Sequence, residues 1–164
     1  MRRHLALLAG ALMLAGCGLQ PLYGGGSGSP VATALRSVSV AAIPGQVGWL
    51  MHNRLTDRIG DTAEAGAAFR LEVELDDNIT GYGIRGDRAT TRERRTLRAR
   101  YRLIDLKGGG VVLDATAGSD AGIDRVSSEY ATIAAEQTAV ERLTEVVADQ
   151  IVARIALFAA RTKP

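Results

Sequence analysis

Eight arginines fall within eighteen residues: Arg85, Arg88, Arg92, Arg94, Arg95, Arg98, Arg100 and Arg102. Only Asp87 and Glu93 oppose them in that stretch, leaving a local excess of six positive charges. A guanidinium stays charged at any working pH and offers parallel N–H donors that match a phosphate or carboxylate. The chemistry on offer is therefore recognition of an anion, a phosphate-bearing lipid among the suitable partners. The second reactive group is a thiol. Cys17 is the sole cysteine, and it follows Leu14-Ala15-Gly16. Small residues at 15 and 16 let a peptidase approach the backbone, and the thiol can then accept a diacylglycerol group.

Little else supports catalysis. The chain contains no GxSxG, no HExxH and no Gly-rich phosphate loop opening a helix. Gly24 to Gly26 fall in a Gly/Ser tract, and Gly108 to Gly110 make a turn. A Ser-His-Asp site would rest on His52 alone, which reads as a solvated helix residue. One cysteine and one histidine beyond the N-terminus do not make a zinc site, and no intramolecular disulfide is possible. Asp76 and Asp77 are adjacent on a strand, so they point to opposite faces and cannot share a substrate atom. A non-enzymatic role without cofactor or metal is expected.

The N-terminus has the anatomy of a secretory signal. Arg2 and Arg3 precede an apolar run from Leu5 to Ala15, too short for a ~30 Å hydrocarbon core, which needs about 20 apolar residues. Leu-Ala-Gly-Cys closely resembles the bacterial lipobox. Residues 1–16 are thus expected to be a signal peptide and Cys17 a lipidated N-terminus. Several acyl chains hold a protein on a membrane where one alone is marginal. Gly18 instead of Asp, by resemblance to lipoprotein sorting, implies the outer membrane. Residues 17–30 read as the lipidated start and a flexible tether closed by Pro30, with a reach of about 20 Å. Residues 31–164 are long enough for a single domain with its own core. Without Arg2 and Arg3 the 20 basic residues become 18, equal to the 18 acidic ones, so the basic isoelectric point implies no nucleic-acid partner.

The elements that position the arginines follow from periodicity. Residues 35–43 alternate as a first strand, ended by Pro44 and Gly45. Val47, Leu50, Met51, Leu55 and Ile59 give residues 46–59 a helical stripe, and Gly60 suits its C-terminal stop. Residues 68–79 are the clearest strand, with Phe69, Leu71, Val73, Leu75 and Ile79 on one face. Residues 80–90 read as a long loop. Residues 91–106 form a strand with Arg95, Leu97, Ala99, Tyr101 and Leu103 on one face, and Arg92, Arg94, Arg98, Arg100 and Arg102 on the other. After the turn at Lys107 to Gly110, residues 111–117 pair next, with Val111, Leu113 and Ala115 inward. Residues 128–160 form a long helix capped by Ser127 or Ser128. Its stripe is Ile133, Val140, Leu143, Val147, Ile151 and Ile155. The order β-α-β-β-β-α predicts an α+β two-layer sandwich: a mostly antiparallel four-stranded sheet packed against two helices.

In that arrangement Glu72, Glu74 and Asp76 share the outer face with Arg98, Arg100 and Arg102. Cross-strand ion pairs would occupy these three arginines. Arg85, Arg88, Arg92 and Arg94 lie nearer the loop tip, where acids are fewer, and are the candidates for an external anion. Tyr82 and Ile84 interrupt the basic loop, either to anchor a partner or to pack the loop on itself.

Cys17-Gly18-Leu19-Gln20-Pro21-Leu22-Tyr23-Gly24 resembles the CGF-x-PLYG start of the alphaproteobacterial lipopolysaccharide-assembly lipoproteins, the LptE family, with Leu19 in place of the usual Phe. His52 to Arg58 is similar to the first helix of that family. Ser128-Glu129-Tyr130-Ala131, Ala135-Glu136 and Ala148 to Ile151 are similar to its last. The resemblance implies an outer-membrane lipoprotein that plugs a large β-barrel, assists the barrel's assembly and helps lipopolysaccharide reach the outer leaflet. It also implies lipopolysaccharide binding through basic residues, without assigning them to positions in this chain.

Overall fold

The computed structural model describes residues 30–84 and 90–161. The order is α1 (Pro30–Leu35), β1 (Val38–Val40), α2 (Gly45–Ile59), a 3-10 turn (Glu64–Gly66), β2 (Phe69–Ile84), β3 (Thr90–Asp105), β4 (Val111–Asp124) and α3 (Glu129–Arg161). The strands form one sheet in the order β1-β2-β3-β4. β1 runs parallel to β2, because α2 intervenes and returns the chain, while β2, β3 and β4 are antiparallel neighbours. The α+β sandwich with a mostly antiparallel four-stranded sheet is thus what the chain forms.

One end differs from the expected order. Instead of a strand over residues 35–43, α1 precedes a strand of three residues. A proline at the first helical position forfeits only an N–H that would have no partner in the helix. Arg36 N and Ser37 N bond back to the Ala32 and Ala34 carbonyls at 3.1 Å each, and Ser37 Oγ also donates to Ala34 O at 2.7 Å. The apparent alternation was a helix end followed by a short edge strand. The tether read as ending at Pro30 gives way to helix at that residue.

The hairpin is longer than predicted. β2 continues to Ile84 and β3 begins at Thr90, so most of the loop placed at 80–90 is strand. β4 likewise runs to Asp124 rather than stopping at Ala117. Gly81, Gly118 and Gly122 weaken strand propensity. Cross-strand ion pairs from β3 offset this, as detailed below.

The core lies between the sheet and the helices. Met51, Leu55 and Ile59 of α2, Leu71 and Val73 of β2, Leu97, Ala99, Tyr101 and Leu103 of β3, and Leu143, Val147, Ile151 and Ile155 of α3 are buried in one cluster. Three predicted core positions are surface: Val111 at the start of β4, Ile133 near the start of α3 and Ile79 on β2 are 53%, 57% and 40% exposed. Val111 pairs with Ile104 across a register shift after Leu103, which takes it out of step with Leu113 and Ala115. α3, with its 33 residues, extends about 50 Å, as do the 16-residue strands, whereas α2, with 15, covers about 22 Å. The far ends of β2 and β3 are therefore thinly covered, and Ile79 is 40% exposed. Ser128, not Ser127, caps α3: its Oγ accepts from Ala131 N at 3.4 Å.

Candidate functional site

The exposed face of the sheet is built from even-numbered residues in register. β3 contributes a central row, Arg92, Arg94, Thr96, Arg98, Arg100 and Arg102. β2 flanks it with Tyr82, Thr80, Asn78, Asp76, Glu74 and Glu72. β4 flanks the other side with Asp124, Gly122, Asp120, Gly118, Thr116 and Asp114. The arginine row thus runs between two acidic rows. This differs from the sequence reading, which supplied acids from β2 alone.

Each arginine has found a partner. Arg102 meets both Glu72 and Glu74 at 3.2 Å, as expected. Arg100 turns the other way and binds Asp114 through two donors at 2.9 and 3.2 Å. That hydrogen bond holds the Asp114 carboxyl below the ordinary aspartate pKa and pushes the Arg100 guanidinium further up. Arg98 makes no ion pair with Asp76, its neighbour in register. It donates instead to the Ser119 and Leu97 carbonyls at 3.1 and 3.3 Å. Gly118 permits this, since a Cβ there would stand 2.5 Å from Arg98 Cδ. An open depression of about 430 Å³ lies over this region, bordered by Glu74, Asp76, Arg98, Arg100 and Thr116.

Of the four arginines singled out as ligand candidates, Arg92 and Arg94 are described, and Arg85 and Arg88 lie outside the described residues. Arg92 pairs with Asp124 at 2.9 Å. Arg94 lies 3.9 Å from Asp120 and stacks over the Tyr82 ring, 5.5 Å from its centre. Both guanidinium side chains remain about 60% exposed (61% and 59%). The acids expected to be scarce near the tip come from the length of β4 that the sequence reading ended too early. Tyr82 packs locally over Arg94 and stays 40% exposed. Cys17 also lies outside the described residues.

The opposite face of the same strands carries buried charge: sequence reasoning placed Arg95 there but missed its partner Asp77 and the nearby Glu93. Arg95, on the core side, binds Asp77 through two donors at 2.8 and 2.5 Å and also reaches the Glu136 carbonyl on α3 at 3.0 Å. The Asp77 hydrogen bond raises the Arg95 pKa. Glu93 is buried and pairs with Arg125 at 3.1 Å, and its Oε2 has no partner among the described residues. Asp76 and Asp77 do face opposite sides, as the strand period demands. The overlooked signal was the two odd-numbered acids, Asp77 in the apolar series of β2 and Glu93 in that of β3.

His52 departs from its solvated reading. It is half-buried, and its Nδ1–H donates to the Ala41 carbonyl at 3.3 Å, tying α2 to the loop after β1. Among the described residues no three His, Cys, Asp or Glu side chains are grouped to hold a metal ion. Among the same residues no helix is long and apolar enough to cross a membrane.

A family model described as LptE, lipopolysaccharide-assembly, matches residues 35–155. A crystal structure of a protein from Caulobacter crescentus CB15, described as a lipoprotein, is similar over 83% of this chain and 99% of its own. Its identity is 27% and its TM-score 0.68. Rare lipoprotein B from Shewanella oneidensis shares the fold at 12% identity and a TM-score of 0.57, over 76% of this chain and 95% of its own. A minor lipoprotein from Acinetobacter baumannii does so at 16% and 0.55, over 73% and 91%. No curated protein matches the chain.

Proposed function

The chain belongs to the lipopolysaccharide-assembly family LptE, and on that premise we propose that it partners and plugs a large outer-membrane β-barrel through which lipopolysaccharide reaches the outer leaflet. The family match over residues 35–155 carries this reading. Its role is to bind and position, not to catalyse. The exposed sheet face supports the reading physically. A wide-barrel lumen is polar and wet, and a face of mutually paired Arg, Asp and Glu residues can line such a lumen without burying an apolar surface. Cys17, lipidated after removal of residues 1–16, anchors the chain to the outer membrane, with the domain facing the periplasm or the lumen.

Lipopolysaccharide phosphates bind at the tip, through Arg85, Arg88, Arg92 and Arg94. Exposed ion pairs such as Arg92–Asp124 and Arg94–Asp120 contribute only about 0–1 kcal/mol. A multivalent phosphate ligand can displace such weak internal partners.

Affinity purification of the chain, tagged at Pro164, from mildly solubilised outer membranes tests the reading. A near-stoichiometric large barrel is the expected co-purifying protein. Recovery without a barrel would refute the plug role and favour an auxiliary subunit of a lipid transporter or a structural adaptor. Charge reversal at Arg85, Arg88 and Arg92 together should lower lipopolysaccharide binding, and unchanged binding would remove the tip as its site.

A further inference from the structure

β4 is an edge strand, and its outer edge is occupied at one point. Gly118 turns its main-chain groups away from β3. Gln150 of α3 meets both: its Oε1 accepts from Gly118 N–H at 3.1 Å, and its Nε2 donates to Gly118 O at 3.4 Å. One side-chain carboxamide thus does for Gly118 what a residue of a fifth strand would do. Thr116 and Asp120 share the parity of Gly118 along β4, so their main-chain groups face the same open edge. Among the described residues nothing outside the sheet bonds to those groups.

A niche of about 420 Å³ adjoins this edge on the helical side, lined by Tyr101, Ala115, Thr116, Ala117, Gln150 and Arg154. The space exists because Ala115 and Ala117 are small, while Tyr101 and Arg154 supply polar ends. Arg154 is exposed, and no carboxylate among the described residues pairs with it. Arg58 on α2 and Arg92, Arg94, Arg100 and Arg102 on the outer face each have an acidic partner. The neighbours of Arg154 one turn away on α3 are Gln150, Ile151, Leu157 and Phe158, none of them acidic. An unpaired cation in a niche beside open strand donors and acceptors is complementary to an extended chain bearing a carboxylate.

We propose that the β4 edge from Thr116 to Asp120 receives an extended acidic segment of a partner protein. The segment displaces the Gln150 carboxamide from Gly118 and sets an aspartate or glutamate side chain on Arg154. Main-chain hydrogen bonds hold the strand, and the niche reads one alternate side chain. Until the partner arrives, Gln150 keeps the edge from pairing with unrelated strands. The inference goes beyond the assembly role and does not depend on the arginine tip.

The test uses the full chain in mild detergent and two capped nine-residue peptides of alternating Thr and Val, one with a central Glu and one with a central Lys. Affinity is read by fluorescence anisotropy, and occupancy by amide exchange. The Glu peptide should bind at least tenfold better than the Lys peptide and slow exchange at Thr116, Gly118 and Asp120. Gln150→Ala should strengthen binding of both peptides, and Arg154→Gln should abolish the preference for Glu. Both side chains are exposed, so circular dichroism should show both variants folded. Failure of either peptide to slow exchange in Gln150→Ala would overturn the proposal. So would a Glu preference that survives Arg154→Gln, or dimerisation of Gln150→Ala without gain in peptide binding.

Discussion

At the level of single residues, the decisive pair is Arg95 with Asp77. Their side chains are only 12% and 21% exposed, and Arg95 also satisfies a carbonyl on α3. Removing one partner leaves the other charge short of both water and a counter-ion. Arg95→Ala should therefore cost about 2–3 kcal/mol, somewhat below a fully buried pair because Asp77 retains some solvent contact. Replacing both partners by apolar residues of similar volume should cost much less. Urea unfolding of the two singles and the double measures this, and an Arg95→Ala loss under about 1 kcal/mol would show the pair to be incidental.

Two other residues add pH dependences of opposite sign. Burial raises the Tyr101 pKa, with a smaller opposing effect of Arg154. A raised pKa means the folded state holds its proton longer than the unfolded one. That contribution is complete below about pH 10 and is lost as pH rises through the folded value. Tyr101→Phe should flatten the alkaline fall in melting temperature. Asp114 has the opposite sign: its pKa is depressed, chiefly by the Arg100 hydrogen bond. Its contribution is present above about pH 4 and is lost as pH falls through the folded value. Arg100→Ala should soften the acid limb of the same profile.

Among the elements, α2 gives the sharpest prediction. Gly48 is buried in the helix, and a Cβ there would lie 2.5 Å from the Ile43 carbonyl oxygen and 2.8 Å from its carbon. In an exposed helix Gly→Ala gains up to about 1 kcal/mol. Here the colliding atoms are backbone, which cannot rotate away, so Gly48→Ala should destabilise by about 1–3 kcal/mol. Chemical denaturation decides the sign. Of the elements themselves, α2, α3, the first part of β2 and nearly all of β3 were legible, because each carries a long apolar period. The strand read at 35–43 shrinks to Val38–Val40 because so short an alternation fits a helix end plus a short strand equally well. β4 beyond Ala117 failed because its Gly, Ser and Asp residues look like a loop until their partners on β3 are counted.

For the whole molecule, the charge distribution is what changed most between sequence and structure. A local excess of six positive charges in residues 85–102 suggested a basic patch. In the folded sheet Arg92, Arg94, Arg100 and Arg102 each meet an acid from β2 or β4. The face is richly charged yet locally balanced. Raising salt to about 0.5 M, where screening shortens to a few ångströms, should therefore lower the stability of the fold only slightly. A fall in melting temperature of more than a few degrees would contradict this pairing. Labelled palmitate should be incorporated into the chain and the label lost in Cys17→Ser; labelling that survives the substitution would refute Cys17 as the anchor.

Local chemistry along the chain was enough to point to the two amphipathic helices and the face on which each β3 arginine lies. These depend on spacing of 2.0 or about 3.6 residues, which is a property of the backbone alone. Tertiary structure alone decided whether those arginines are free. The partners of Arg92, Arg94 and Arg100 lie on a strand reached only after the turn at Gly108 to Gly110, and cross-strand register determines which side chains meet. The same holds for Gln150, more than thirty residues from Gly118 in sequence and in direct contact with it across the edge of the sheet. Contacts of that range follow from how helix and sheet pack, and no periodicity in the chain encodes them.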